Sequence, residues 1–157
     1  MKPNTAAVTA EPQGCTNFKL RQLLRSVSRL YDAEIAHAGL KSTQFSLLAN
    51  LRHGSGLAIG ELAARMSMDR STLTRNLRPL IDHGWVLQGP GADARSRLVT
   101  ITPAGMAKHA EARQHWKRAQ QQLVQRLGAQ QVAQLHQLMA LAQQNLQDLP
   151  ATDVADA

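Results

Sequence analysis

A single cysteine, Cys15, leaves the chain without an internal disulfide, which agrees with a reducing compartment. No apolar run approaches the length needed to cross a bilayer, and residues 1–14 lack the hydrophobic centre of a secretion signal, so the expected location is the cytoplasm, with no membrane partner. Aromatic residues are 3% of the chain. Leucine, alanine and valine must therefore fill the core, and recognition by stacking single-stranded bases is disfavoured. The six histidines offer no metal site. No two stand three or four residues apart, and the closest pair, His109 and His115, points to different helical faces. Phosphate loops, nucleophile elbows and paired catalytic carboxylates are also missing, which argues against an enzyme and gives no reason to expect a cofactor.

What the chain has is positive charge and helical periodicity. The formal net charge is +7 over 157 residues, and the excess is largest over residues 41–102, where eight basic residues face four acidic ones. Such a balance fits nucleic acid, but also membrane headgroups or an acidic protein, so the pattern has to decide. Residues 1–14 carry Pro3, Pro12 and Gly14 without periodicity and read as a flexible arm. From Thr16, apolar residues recur at Leu20, Leu23, Leu24, Val27, Leu30, Tyr31 and Ile35, which predicts an amphipathic helix ending near Gly39. A second helix is expected after Ser42 or Thr43, whose hydroxyls can cap its first amides.

Leu57 to Ile59 can form a short edge strand, followed by a helix over Glu61 to Met66. Asp69 is a suitable cap for the next helix, Arg70 to His83, with Gly84 as a left-handed terminator. Along it Leu73, Leu77, Leu80 and Ile81 fall on one face, and Ser71, Thr74, Arg75 and Arg78 on the other. Pro79 predicts a bend. Two apolar runs, Trp85-Val86-Leu87 and Leu98-Val99-Thr100-Ile101, flank a glycine-bounded segment with Asp93, Arg95 and Arg97, the pattern of a β-hairpin with a cationic tip. Thr102 and Pro103 then start a long helix that Gly128 breaks, and a last apolar stripe runs to Leu149 and stops at Pro150.

The segment Asp93-Ala94-Arg95, followed by Ile101-Thr102, resembles the wing motif of the MarR family of bacterial transcriptional regulators, Asp-x-Arg, five residues, then Leu-Thr, with isoleucine replacing leucine. Leu40 to Leu48, Glu61-Leu62-Ala63, Asp69 to Arg75 and Gly84-Trp85-Val86 fall in the family's order as well. The resemblance implies a mainly α fold with a small β-wing. In it, residues 40–102 form a winged helix-turn-helix, 15–39 and 103–149 a helical dimerisation region, and 150–157 a flexible tail. It departs from the family at Ala58, where a threonine is usual and would form a capping box with Glu61.

The resemblance further implies a homodimeric repressor that binds a palindromic operator in double-stranded DNA. Thr72, Thr74 and Arg75 are then expected at or near base edges, and Arg70, Ser71 and Arg78 at phosphates. Arg95 and Arg97 would enter a minor groove, with Asp93 holding the wing in place. Taken singly, these residues equally suit a solvated helix face and an ordinary turn. A small aromatic or phenolic effector would bind in the crevice between the dimer helices and the reading unit, near Arg21, Tyr31, His37 and Phe45. Two alternatives stay open: peroxide sensing through Cys15, which the family's sensors support with two tyrosines where this chain has Tyr31 and Phe45, and a winged-helix adaptor that binds protein.

Overall fold

The computed structural model describes residues 13–91 and 97–146. The order of elements is α1 (Thr16–Ile35), a 3-10 turn (Ala36–Ala38), α2 (Ser42–Leu51), β1 (Leu57–Ala58), α3 (Ile59–Arg65), α4 (Arg70–Asp82), β2 (Val86–Pro90), β3 (Arg97–Ile101), α5 (Pro103–Leu127) and α6 (Ala129–Asn145). The three strands form one antiparallel sheet in the order β1-β3-β2. β2 and β3 pair from Val86 opposite Ile101 to Pro90 opposite Arg97, and Leu57 pairs with Val99 on the other edge of β3. The expected short edge strand is thus present.

Apolar side chains spaced for helix faces build one core. Ile35, Leu47, Leu48, Leu62, Leu73 and Leu80 are fully buried, and Val86 and Val99 close the core from the sheet. Leu77 is buried and Ile81 half-buried, so α4 packs the face its periodicity marks. The helix runs on through Pro79, whose missing N–H leaves the Arg75 carbonyl without its usual partner four residues on. Gly84 takes a left-handed conformation (φ +69°), and the amides of Gly84 and Trp85 bond back to the carbonyls of Ile81 and Leu80.

The start of α2 differs from expectation. The Ser42 hydroxyl donates to the Asp32 carboxylate of α1 instead of accepting from the helix, and the Ser42 amide donates to the same carboxylate at 2.9 Å. The Gln44 side chain accepts from the Lys41 amide at 2.9 Å. A residue ten positions upstream therefore caps α2 and ties it to α1. At α5 the expected cap is in place: the Thr102 hydroxyl accepts from the Gly105 amide at 3.0 Å and donates to the Gly84 carbonyl at 2.7 Å.

Trp85 links the sheet to the long helices. His83 stacks on its ring at 4.4 Å between centroids, and Lys108 Nζ of α5 lies 5.1 Å from the ring centre. The same ammonium donates to the Ala38 carbonyl at 3.1 Å. Among the described residues, no helix is long and apolar enough to cross a membrane.

Candidate nucleic-acid interface

The α4 helix begins at Asp69, whose carboxylate accepts from the Thr72 amide at 2.7 Å and from the Ser71 hydroxyl at 2.6 Å. These bonds hold the Asp69 carboxyl well below the usual carboxylate range. With Leu73, Leu77 and Leu80 buried, the spacing of 3.6 residues per turn sends Ser71, Thr74, Arg75 and Arg78 outward, and all four are exposed. Thr72 is half-buried at the edge of that face. The Thr74 hydroxyl donates to the Arg70 carbonyl at 2.8 Å, which leaves its lone pairs free to accept. Arg70 turns back toward α3, where its guanidinium lies against Gly60.

Electrostatically the face is cationic with little compensation. Arg78 approaches Asp82 only at 3.9 Å, with both side chains largely in solvent, so the pair is weak and screened by salt. Arg75 forms no ion pair among the described residues. An outward helix face carrying the guanidinium groups of Arg75 and Arg78 with the hydroxyls of Ser71 and Thr74 matches the width and donor pattern of a major groove.

The sheet extends this surface. Thr74 and Arg78 of α4 share a recess of about 270 Å³ with Gln88 of β2, so the reading face and the hairpin are continuous. Arg97 is exposed at the start of β3, opposite Pro90. Asp93 and Arg95 lie outside the described residues. Sequence reasoning overlooked Gln88. Its position in the first strand of a hairpin next to the reading helix is the one signal that could have found it.

The expected effector residues do not all meet. Tyr31 and Phe45 line one recess of about 250 Å³ with Val27, Ile35, Ser42 and Trp116. The Tyr31 hydroxyl donates to the Gln120 side chain, and burial pushes the phenol's pKa up. Arg21 does not line that recess; it is exposed on α1, ten residues and about 15 Å of helix from Tyr31. His37 is exposed and stacks on His115 at 5.6 Å. Cys15 is exposed at the N-cap of α1, about 24 Å along the helix from Tyr31 of the same chain. Phe45 is buried and has no hydroxyl to offer. Among the described residues, no group of three or more histidine, cysteine or acidic side chains could hold a metal ion.

Residues 38–96 match the MarR family. The multiple antibiotic resistance protein MarR of Salmonella typhimurium is 32% identical over 113 residues, which cover 71% of this chain and 78% of that protein. The chain belongs to the MarR family. The MarR-type fold agrees: a cysteine-to-serine variant of MarR from Escherichia coli, complexed with operator DNA, superposes with a TM-score of 0.73 at 27% identity, covering 80% of this chain and 91% of that one. The M. tuberculosis transcriptional regulator MosR in complex with DNA gives 0.67 at 31% identity, covering 82% and 98%. As a MarR-family member the chain is a winged-helix, DNA-binding transcriptional regulator and not an enzyme.

Proposed function

We propose that this chain acts in the cytoplasm as a homodimeric repressor that recognises a palindromic operator and moves onto the nucleoid when bound. The observation that carries this reading is the outward face of α4, where Arg75, Arg78, Ser71 and Thr74 stand exposed beside the β2–β3 hairpin. In this reading Thr72, Thr74 and Arg75 reach base edges, Arg70, Ser71 and Arg78 hold phosphates, and Arg97 with Arg95 of the hairpin tip enters the adjacent minor groove, steadied by Asp93. The relatives solved with DNA support it by analogy. Residues 40–102 serve as the reading unit, and 15–39 with 103–149 as the pairing region, so that a twofold axis sets two copies of α4 about 34 Å apart, one turn of DNA. A small aromatic or phenolic effector releases the operator by favouring a spacing that DNA does not fit. Of the expected effector residues, Tyr31 and Phe45 are the pair that shares a recess.

The test is selection of a binding duplex from a random library, followed by anisotropy titrations across a range of salt. A palindromic consensus is expected, with log affinity falling steeply against log salt. Arg75→Ala and Arg95→Ala are each expected to weaken binding by about 1–3 kcal/mol, Arg75→Ala also relaxing base preference at its position. Failure to enrich any sequence, with no difference between parent and variants, would overturn the reading in favour of a protein-binding adaptor.

A further inference from the structure

Helix α1 has two unlike faces. Leu20, Leu23, Val27 and Tyr31 recur on one, while Arg21, Arg25 and Arg29 stand on the opposite one at a spacing of four residues, about 6 Å of helix. All three arginines are exposed, and among the described residues none of them forms an ion pair. Arg29 donates to the Ser26 hydroxyl of the same helix at 3.5 Å. No acidic residue occurs on α1 before Asp32, and that carboxylate is turned to the start of α2, while Glu34 accepts from Gln122 of α5 at 2.6 Å. Like charges four residues apart destabilise a helix, and cations in its N-terminal half oppose the helix dipole. Nothing on α1 offsets that repulsion, and a polyanion laid along the row would.

The row lies far from the reading face. Helix α5 starts against the sheet, where the Thr102 amide donates to the Trp85 carbonyl. It then meets Ala38 at Lys108, His37 at His115 and Tyr31 at Gln120, so α1 runs back beside it, away from the sheet. Gln120 is already about 22 Å of helix beyond Gly105, and Arg29, Arg25 and Arg21 follow Tyr31 still further out. Meanwhile α4 packs on α2, which packs in turn on α1 and α5. A duplex seated on the outward face of α4 therefore lies across the core from the arginines.

We propose that the row Arg21, Arg25 and Arg29 on the outer face of α1 is a second, sequence-independent site for the phosphate backbone of double-stranded DNA, through which a protein seated on its operator holds another duplex. Guanidinium forks suit phosphate oxygens, and a straight row with one cation per turn follows a backbone whose charges are regularly spaced. The row carries no hydroxyl-rich or apolar pattern for reading base edges, so its affinity is for the backbone. Only the holding of two duplexes rests on the operator reading given above; attraction of the row to phosphates does not.

To separate the two, anisotropy titrations use a labelled random-sequence duplex and the full chain with Arg75→Ala and Arg78→Ala, which silence the reading face. Residual binding is expected. Adding Arg25→Gln and Arg29→Gln should weaken it at least about tenfold and lower the slope of log affinity against log salt by about two, one for each contact removed. Lysine at both positions should keep most of the affinity and the slope, because the charge is kept. In the otherwise unaltered chain, the two glutamines should leave the melting temperature no lower than the parent's, since they relieve repulsion. Beads bearing the random-sequence duplex should then capture a labelled operator duplex through the parent but not through Arg25→Gln/Arg29→Gln, with operator affinity the same in both. Residual binding and a salt slope that ignore the glutamines would overturn the proposal, and so would capture that survives them, which assigns bridging to two reading heads. Tighter binding of poly-glutamate or phosphatidylglycerol vesicles than of the duplex, lost with the same glutamines, would overturn it in favour of another polyanion. Glutamine-sensitive residual binding by a chain that selects no operator upholds the row and overturns the operator reading.

Discussion

A methyl group on Gly105 would lie 2.0 Å from the Trp85 carbonyl oxygen and 2.8 Å from the Ile101 side chain, so helix α5 can approach the sheet this closely only because that residue is glycine. The Trp85 carbonyl is fixed in place, since it accepts from the Thr102 amide at 3.0 Å. Gly105→Ala must therefore push backbone apart, and its expected cost is about 1–3 kcal/mol, read as a lowered midpoint in urea denaturation. A midpoint equal to the parent's would show that the packing yields. At Asp69 the expected signature is in pH. Its carboxyl is held low in the folded chain by the Ser71 hydroxyl and the Thr72 amide, so the stabilisation is complete above the ordinary aspartate value of about 3.9 and is lost as pH falls through the folded one. The melting temperature of the parent should exceed that of Asp69→Asn at neutral pH, and the gap should narrow on acidification below about pH 4. A gap that does not change with pH would assign the cap no charge. Both caps, Asp69 and Thr102, were legible because the partner amide lies three residues on. Ser42 misled for the opposite reason: its partner, Asp32, sits on another helix, which local sequence does not record.

At the level of elements, α3 is the weak start of the reading unit. Its N-cap, Ala58, has no side-chain oxygen, and Glu61, which could answer a capping hydroxyl, is instead paired with Arg65 at 2.8 Å. Ala58→Thr supplies the missing acceptor at a strand-edge position that suits a β-branched residue, and should stabilise the chain by about 1 kcal/mol. Thermal melts of the variant and of Ala58→Val separate the hydroxyl from the branching: a gain shared by valine would refute the cap. The helices, the hairpin and the inward face of α4 were readable because apolar spacing of 3.6 or 2 residues survives in the sequence. The cationic recess lined by Arg52, His53, His109 and Arg113 was not readable. Arg52 follows the end of α2 and Arg113 lies on α5, and only the packing of α2 on α5 brings them together, so no local period joins them. For the same reason Tyr31 and Phe45 meet while Arg21 and His37 stay apart.

For the whole molecule, the decisive imbalance lies in α1 and α6. Of the seventeen residues of α6 only Val132 is buried, while Leu138 is 64% exposed and Leu141, like Leu146 just past the helix end, is more than half exposed. Phe18, Leu20 and Leu24 on α1 are likewise more than half exposed. A helix that buries one residue of its own does not recover the entropy of ordering seventeen, so its stripe calls for a partner surface beyond those of this chain. A second copy supplies the same stripe by symmetry, which is the arrangement proposed for operator binding. Sedimentation equilibrium at micromolar concentration should give twice the chain mass of 17.1 kDa, and the melting temperature should rise with protein concentration, because association contributes to folding. Leu24→Glu combined with Leu141→Glu places charge in that stripe and should yield monomers with frayed end helices. Those monomers should lose most of their operator affinity although every residue of α4 is intact, because one half-site contributes only half the contacts. A parent that sediments at the mass of one chain, with α6 fully helical and a melting temperature independent of concentration, would refute the pairing and leave a single reading head.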